Sequence, residues 1–387
     1  MMKICIAGLQ TQRCRWKNKF VKYKWKTVLF CVLSVLFISA FFAAKHDAAW
    51  YSEPVAEITQ IQTRQIGSGQ STRGTPEEIY EQSIQARLLN GEAAGKIIEL
   101  KNRYGYTQMK SEKYHKGDQV FPVTSDGEIQ HEIRGRKRDD QIVFLIGAAV
   151  LFLLFFMGKQ GVLTILTIVI NSVVFAIGFQ CFMHGKDIIG ICNKMVVVFA
   201  VVTLLLLNGF HKKTWAAIAS TLCVVGLIIV VFESVVHITG EIDYSTVEYL
   251  GSIETPDTVF RAEILLSGLG AIMDVAIVMT SGLDELIRKN PSLSLREFLH
   301  SGREIGYDIM GTMLNVLLFV FGSSLIPTFL VRMNNGVSMF TVIEQHISCE
   351  VYRFLIESIG IVLAIPVSVF CSVLFLRVQF FRRLRKC

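Results

Sequence analysis

The chain reads as a polytopic α-helical membrane protein with about eight transmembrane (TM) helices and a small extracytoplasmic β-rich domain between helices 1 and 2. Three observations support this. Hydrophobic residues make up 52% of the 387 and charged residues only 18%, below the roughly 25% of soluble domains. Several apolar runs reach about 18 residues, enough to cross about 30 Å of hydrocarbon. One stretch, 45–139, breaks that pattern with balanced charge and closely spaced turn signals.

Residues 1–26 form a basic arm bearing Trp16, Tyr23 and Trp25. The run 27–44 then reads as the first TM helix. A basic lead, an apolar core and an alanine-rich end also describe a signal peptide, but the core is long for one, which favours an uncleaved anchor. Either reading puts 45–139 outside. There, Val55–Ile61, Ile84–Leu89, Lys96–Lys101 and Gln119–Thr124 read as strands. Asn90-Gly91, Gly117-Asp118 and Asp126-Gly127 separate them as turns. The spacing predicts a small antiparallel β barrel or sandwich.

Seven further helices are expected near 141–158, 162–182, 188–207, 214–237, 262–281, 309–331 and 353–376, so 140–376 is a seven-helix membrane domain followed by a basic tail, 377–387. Eight crossings put both termini on one side. Residues 1–44 carry eight Lys/Arg and no acid, and the last eleven carry five and no acid. The positive-inside rule makes that side cytoplasmic. The basic ends suit anionic lipid head groups better than nucleic acid, because each abuts an apolar segment. Two loops carry amphipathic stretches: Tyr244–Ile253, expected on the outer surface, and Leu293–Gly306, expected against the membrane or the bundle.

The residue that carries most information is Asp274. A carboxylate at membrane depth is costly unless paired, hydrated or protonated, so it marks a site by default. Ser267, Gly270/Ala271, Asp274 and Ser281 share a helix face, and that face permits close approach of another helix. Asp308, Gly311/Thr312 and Asn315 share a face of the next span. Asp274 and Asn315 each sit roughly 10 Å above the inner ends of their spans, so a contact between them is expected. The site residues are therefore Asp274, Asn315, Thr312 and Asp308 as ion- or substrate-binding groups. Ser267, Gly270, Ala271 and Gly311 are the helix-packing positions. Two readings stand: a carboxylate that binds a proton or cation in a translocation path, or a polar clamp between two helices. Weaker polar signals are Glu233 with His237 at i, i+4, Lys194 reaching toward the interface, Asn171 mid-helix, and Glu357, placed shallow near the outer surface.

Enzyme chemistry finds no support. The sequence contains no GxSxG, HExxH, P-loop or nucleotide fingerprint. Tyr307-Asp308 and Gly268-Leu-Gly270 occur in the wrong order and spacing for an intramembrane aspartyl protease. The nine cysteines show no metal spacing. No catalytic residue, metal or cofactor is therefore expected. The expected partners are the lipid bilayer, a small ion or solute, and a second copy or another membrane subunit, with no nucleic acid.

The segments Gly268–Ile287 and Gly302–Ile326 resemble the YibE/F family of bacterial multi-pass membrane proteins. The likeness rests on Gly-Ala-x-Met-Asp-Val-Ala around Asp274, on Gly-x-Asp-Ile-Met-Gly-Thr-Met-x-Asn ending at Asn315, and on Gly322-Ser-Ser-Leu325. It extends through Ala86–Arg103 and Lys116–Pro122. The resemblance implies a bacterial cell membrane and matches Gly270, Asp274, Asp308, Gly311, Thr312 and Asn315 to the family pattern, without assigning them roles. A transporter or permease is the function expected first. The alternative is a non-transporting scaffold or sensor that binds a partner through the extracytoplasmic domain.

Overall fold

A computed structural model describes residues 30–70, 76–91, 93–105, 112–125, 128–240, 242, 244 and 255–377. The basic arm, the expected Asp126-Gly127 turn, most of the 244–253 stretch and the basic tail beyond Arg377 lie outside them. The chain divides into two compact units, residues 1–161 and 162–387.

In the first unit, helix α1 (Phe30–Lys45) leads into a five-stranded closed barrel. The strands are β1 (Ala56–Gln70), β2 (Pro76–Leu88), β3 (Ile97–Gly105), β4 (Gln119–Ser125) and β5 (Glu128–Arg136), in the order β1-β2-β3-β5-β4. Five-strand Greek-key closure of this kind is familiar from small OB-type barrels. β5 is absent from the sequence expectation, and it runs parallel to β3, so the barrel is not wholly antiparallel. Alternate residues turn inward, as a period of two requires. Ala56, Ile58, Ile84, Ala86, Leu88, Leu100, Tyr114 and Val120 make the apolar core. Gln82 and Asn102 are buried beside it. The Gln82 amide donates to the Tyr114 carbonyl (3.0 Å) and accepts from Tyr114 N–H (3.1 Å), so the segment before β4 is sewn onto the barrel.

β1 and β2 outrun the barrel. They pair from Ala56–Leu88 to Gln70–Pro76, whereas β1 meets β4 only at Ala56 and Glu57. The far half of β1 is thus a ribbon edge, interrupted by register shifts at Ile58/Gln60 and Gln65/Gly67.

The chain leaves the barrel through Lys137 into α2 (Asp139–Met157). The Lys137 side chain is 2% exposed, pairs with Asp47 and Asp139 and donates to the Ala44 carbonyl at 2.6 Å. Tyr51 donates to Asp139. That hydrogen bond, aided by burial, pushes the Tyr51 phenol up to about 12. α1 and α2 pack through Phe30–Phe155 and Phe37–Phe144 (centroids 5.2 and 5.8 Å), with Gly147 making room for the Phe37 ring.

The second unit holds α3 (Lys159–Met183, beginning in the first unit), α4 (Ile188–Asn208), α5 (Lys212–Thr239), α6 (Pro256–Lys289), α7 (Leu295–Asn334), the single turn α8 (Met339–Thr341) and α9 (Ser348–Ser372, continued in a wider turn to Arg377). With α2, seven described helices are long and apolar enough to cross a membrane. The core lies where α5, α6 and α9 meet: Val224, Ile228, Phe232, Phe260, Leu265, Ile272, Val275, Met279 and Ile361 are fully buried. α3 and α7 contribute little to it. Asn171 of α3 donates to Thr203 of α4 at 3.0 Å.

Two helices are longer than hydropathy indicates. α6 runs through the charged residues at both of its ends, where Arg261–Asp257, Arg288–Asp284 and Lys289–Glu285 pair at i, i+4. α7 absorbs the expected amphipathic stretch: Ser294 caps it with Glu297 in a reciprocal box, and the helix continues unbroken from Leu295.

Candidate functional site

α6 fixes the depth of Asp274. Its charged residues nearest to Asp274 are Glu263 and Asp284, so the uncharged stretches on either side are similar, about 15 Å each at 1.5 Å per residue. Asp274 therefore sits midway along the apolar length of its helix. This is deeper than the 10 Å expected when the helix was taken to end at Ser281.

Asp274 lies on the exposed side of α6 with Ser267, Gly270 and Val278, while Ile272, Val275, Ala276 and Met279 enter the core. Among the described residues its carboxylate has no hydrogen-bond or ion-pair partner. An added Cβ at Gly270 would meet nothing within 4 Å, and Ala271 packs at the edge of the core.

α7 crosses α6 where Gly282 faces Ile305 and Gly302 faces Leu283. Continuing this antiparallel register brings Thr312 level with Asp274. Asp308, Gly311, Thr312 and Asn315 are all exposed. Asn315 donates to the Gly311 carbonyl at 2.8 Å and Thr312 to the Ile309 carbonyl at 2.8 Å. A contact between Asp274 and Asn315 was expected; among the described residues no hydrogen bond joins them, and the Asn315 amide donates to its own helix instead. The structure brings the two groups to similar depths on adjacent helices and leaves both open. Gly311, like Gly270, has open space beside it. The close helix approaches are made instead by Gly302 and Gly306 of α7, against Val369 and Ile365, and by Gly360 of α9 against Ile228.

A second polar group was not legible as such. Glu357, taken from sequence as a shallow residue, is only 6% exposed. It is held between α6 and α9, where Ser267 reaches it. The Ser267 hydroxyl also lies 2.7 Å from the Glu263 carbonyl, and its one proton serves one acceptor at a time. One turn further along, Arg353 bridges Glu263 of α6 (3.5 Å) and Glu350 of its own helix. Arg261 bridges Glu233 of α5 and Asp257 (2.8 Å), so Glu233 pairs across helices rather than with His237. Tyr244 donates to Asp257 at 3.2 Å, and burial raises its phenol. Along α6 the polar levels follow one another: Arg261, then Glu263 with Arg353, then Ser267 with Glu357 about 6 Å further in, then Asp274 about 10 Å beyond. The Ser267–Glu357 contact would have been found only by pairing residues ninety positions apart.

No curated protein and no solved structure matches the chain. Residues 145–378, which hold every residue of this site, match the family described as YibE/F-like protein. Residues 49–136, the barrel, match the YibE/F family N-terminal domain. With most of its length covered by these two matches, the chain belongs to the YibE/F family.

Proposed function

We propose that the protein is a transporter or permease that moves a small solute or ion along the open α6–α7 flank, with Asp274 as the binding or coupling carboxylate. The observation that carries this reading is the position of Asp274: mid-length on a membrane-spanning helix, exposed and unpaired among the described residues. A carboxylate at that depth costs at least about 2.5 kcal/mol against lipid unless it is paired, hydrated or protonated, which a bound ion, solute or proton supplies. Binding groups at half depth are where alternating-access carriers hold their cargo. Thr312 and Asn315 orient cargo beside Asp274, and Asp308 stands toward one mouth. The ladder from Arg261 to Glu357 leads toward the same carboxylate from the other end. Within one chain the flank is open, and a second copy or another membrane subunit closes it. The setting is a bacterial cell membrane with both termini on the cytoplasmic side, as the basic ends indicate.

The test is flux in proteoliposomes, with sodium, potassium and proton gradients as the probes. Wild-type protein passes one of them. Asp274→Asn and Asp274→Ala abolish the passage. Flux undiminished in both variants would refute the coupling role.

A further inference from the structure

The α5–α9 seam carries a second polar feature, independent of Asp274. Thr214 and Thr221 of α5 and Ser368 and Ser372 of α9 are completely buried, and none of the four hydroxyls has a protein hydrogen-bond partner among the described residues. This is not the general habit of the fold. Ser220 and Thr280, equally buried, donate to the carbonyls one turn back, Ala216 and Ala276. The four other hydroxyls lack even that bond.

Their levels coincide. The helices are antiparallel neighbours, and Ile228 of α5 meets Gly360 of α9. Counting from that crossing, Thr221 and Ser368 lie about 10–12 Å along the seam. Ser372 and Thr214 lie about 18–21 Å along it, with Thr214 two residues from the start of α5. By level, the four hydroxyls therefore span the stretch from the Lys212 end to about 10 Å inward.

Four neutral hydroxyls offer no carboxylate or ring of carbonyls, so a cation lacks the charged oxygen ligands it needs. Water fits, since it donates and accepts as each hydroxyl requires. An unmet buried hydroxyl costs more than immobilising the water that meets it. We propose that the α5–α9 seam is a binding site for a file of water molecules, held by Thr214, Thr221, Ser368 and Ser372 and filled from the Lys212 end. The file hydrates the three-helix core from one side.

The experiment uses the full chain in proteoliposomes, with its native cysteines replaced. Thr221→Cys and Ser368→Cys are compared with Val224→Cys and Ala364→Cys, buried positions on the same two helices. A small cationic methanethiosulfonate reagent is the probe. The file positions react several-fold faster than the controls. Equal or slower reaction overturns the proposal. A second measurement does not depend on the cysteine variants folding well. Thr221→Val keeps the shape and removes the hydroxyl. In a hydrated seam it lowers the thermal midpoint, because a bound water loses a partner. A raised midpoint, the signature of a dry unmet hydroxyl removed, overturns the proposal.

Discussion

Lys137 places its ammonium 2.5 Å from the Asp47 carboxylate, with the lysine side chain 2% exposed. Asp139 lies 3.4 Å away on the other side, and the Tyr51 ring stands 5.5 Å from the charge. The last turn of α1, the barrel and the first turn of α2 are therefore joined through one buried cation. Lys137→Met fills similar volume but leaves two carboxylates unmatched. Breaking a buried pair from one side costs about 3–5 kcal/mol. The expected outcome is a destabilised first unit, read as earlier proteolysis at the barrel–helix junctions. An unchanged cleavage pattern would show that the lysine is dispensable.

The same cluster has a pH signature. The Tyr51 phenol ionises at about 12 instead of 10.0, because it donates to Asp139 and is partly buried. A raised folded-state value favours the protonated form. The stabilisation is therefore complete below about pH 10 and is lost as pH rises toward 12. A tyrosinate absorbance titration of wild type against Tyr51→Phe isolates this group. The difference curve is expected to rise late, above the midpoint of exposed tyrosines.

Glycines in α7 divide into two kinds. A Cβ at Gly302 would stand 2.8 Å from Val369, and one at Gly306 would collide with Ile365. Gly306→Val is expected to push α7 from α9 at a cost of about 1–3 kcal/mol, visible as a lower thermal midpoint in detergent. Gly311→Ala meets open space and gains helix propensity, up to about 1 kcal/mol. Its midpoint is expected to hold or rise. A loss of flux in Gly311→Ala without a loss of stability would then report contact on the open flank.

Ser267→Ala removes the hydroxyl that reaches Glu357. Glu357 stays buried with that bond lost, a cost of about 1–3 kcal/mol. Glu357→Gln in the same background is expected to restore part of the loss, since a neutral amide tolerates burial better than a carboxylate. A double-mutant cycle on thermal midpoints checks the coupling. Additive effects would mean that the two side chains do not interact.

These residues also mark what the sequence could convey. Each membrane helix is legible because twenty apolar residues have few other uses in one stretch. Its ends are less so: hydropathy stops at the first charge, whereas α6 continues through Asp284, Glu285, Arg288 and Lys289 by pairing them with one another. That extension moves Asp274 from the inner third to mid-length. β5 escaped notice because it brings only Ile129 and Ile133 to the core cluster, too few for an alternating pattern. The face bearing Asp308, Thr312 and Asn315 follows from helical spacing alone. Whether that face meets a neighbour depends on the path of α7 after Gly306, which no local pattern encodes. Glu357 was visible as a residue, but its burial depends on the crossing of two helices distant in sequence.

The ribbon formed by β1 and β2 bears on how the protein tolerates crowding. Beyond Ile58, whose N–H and carbonyl still bond Asp118 and Gly117, β1 has no strand partner on its second side among the described residues, and a bare strand edge is a template for adding a neighbour's strand. Two register shifts bend it, Gly67 and Gly69 weaken its preference for extension, and Arg64 adds a charge. Each irregularity disfavours the in-register stacking that begins aggregation. Straightening the edge, for instance by removing one bulged residue, would make it a better nucleus for sheet-to-sheet association between copies packed at high density in one membrane.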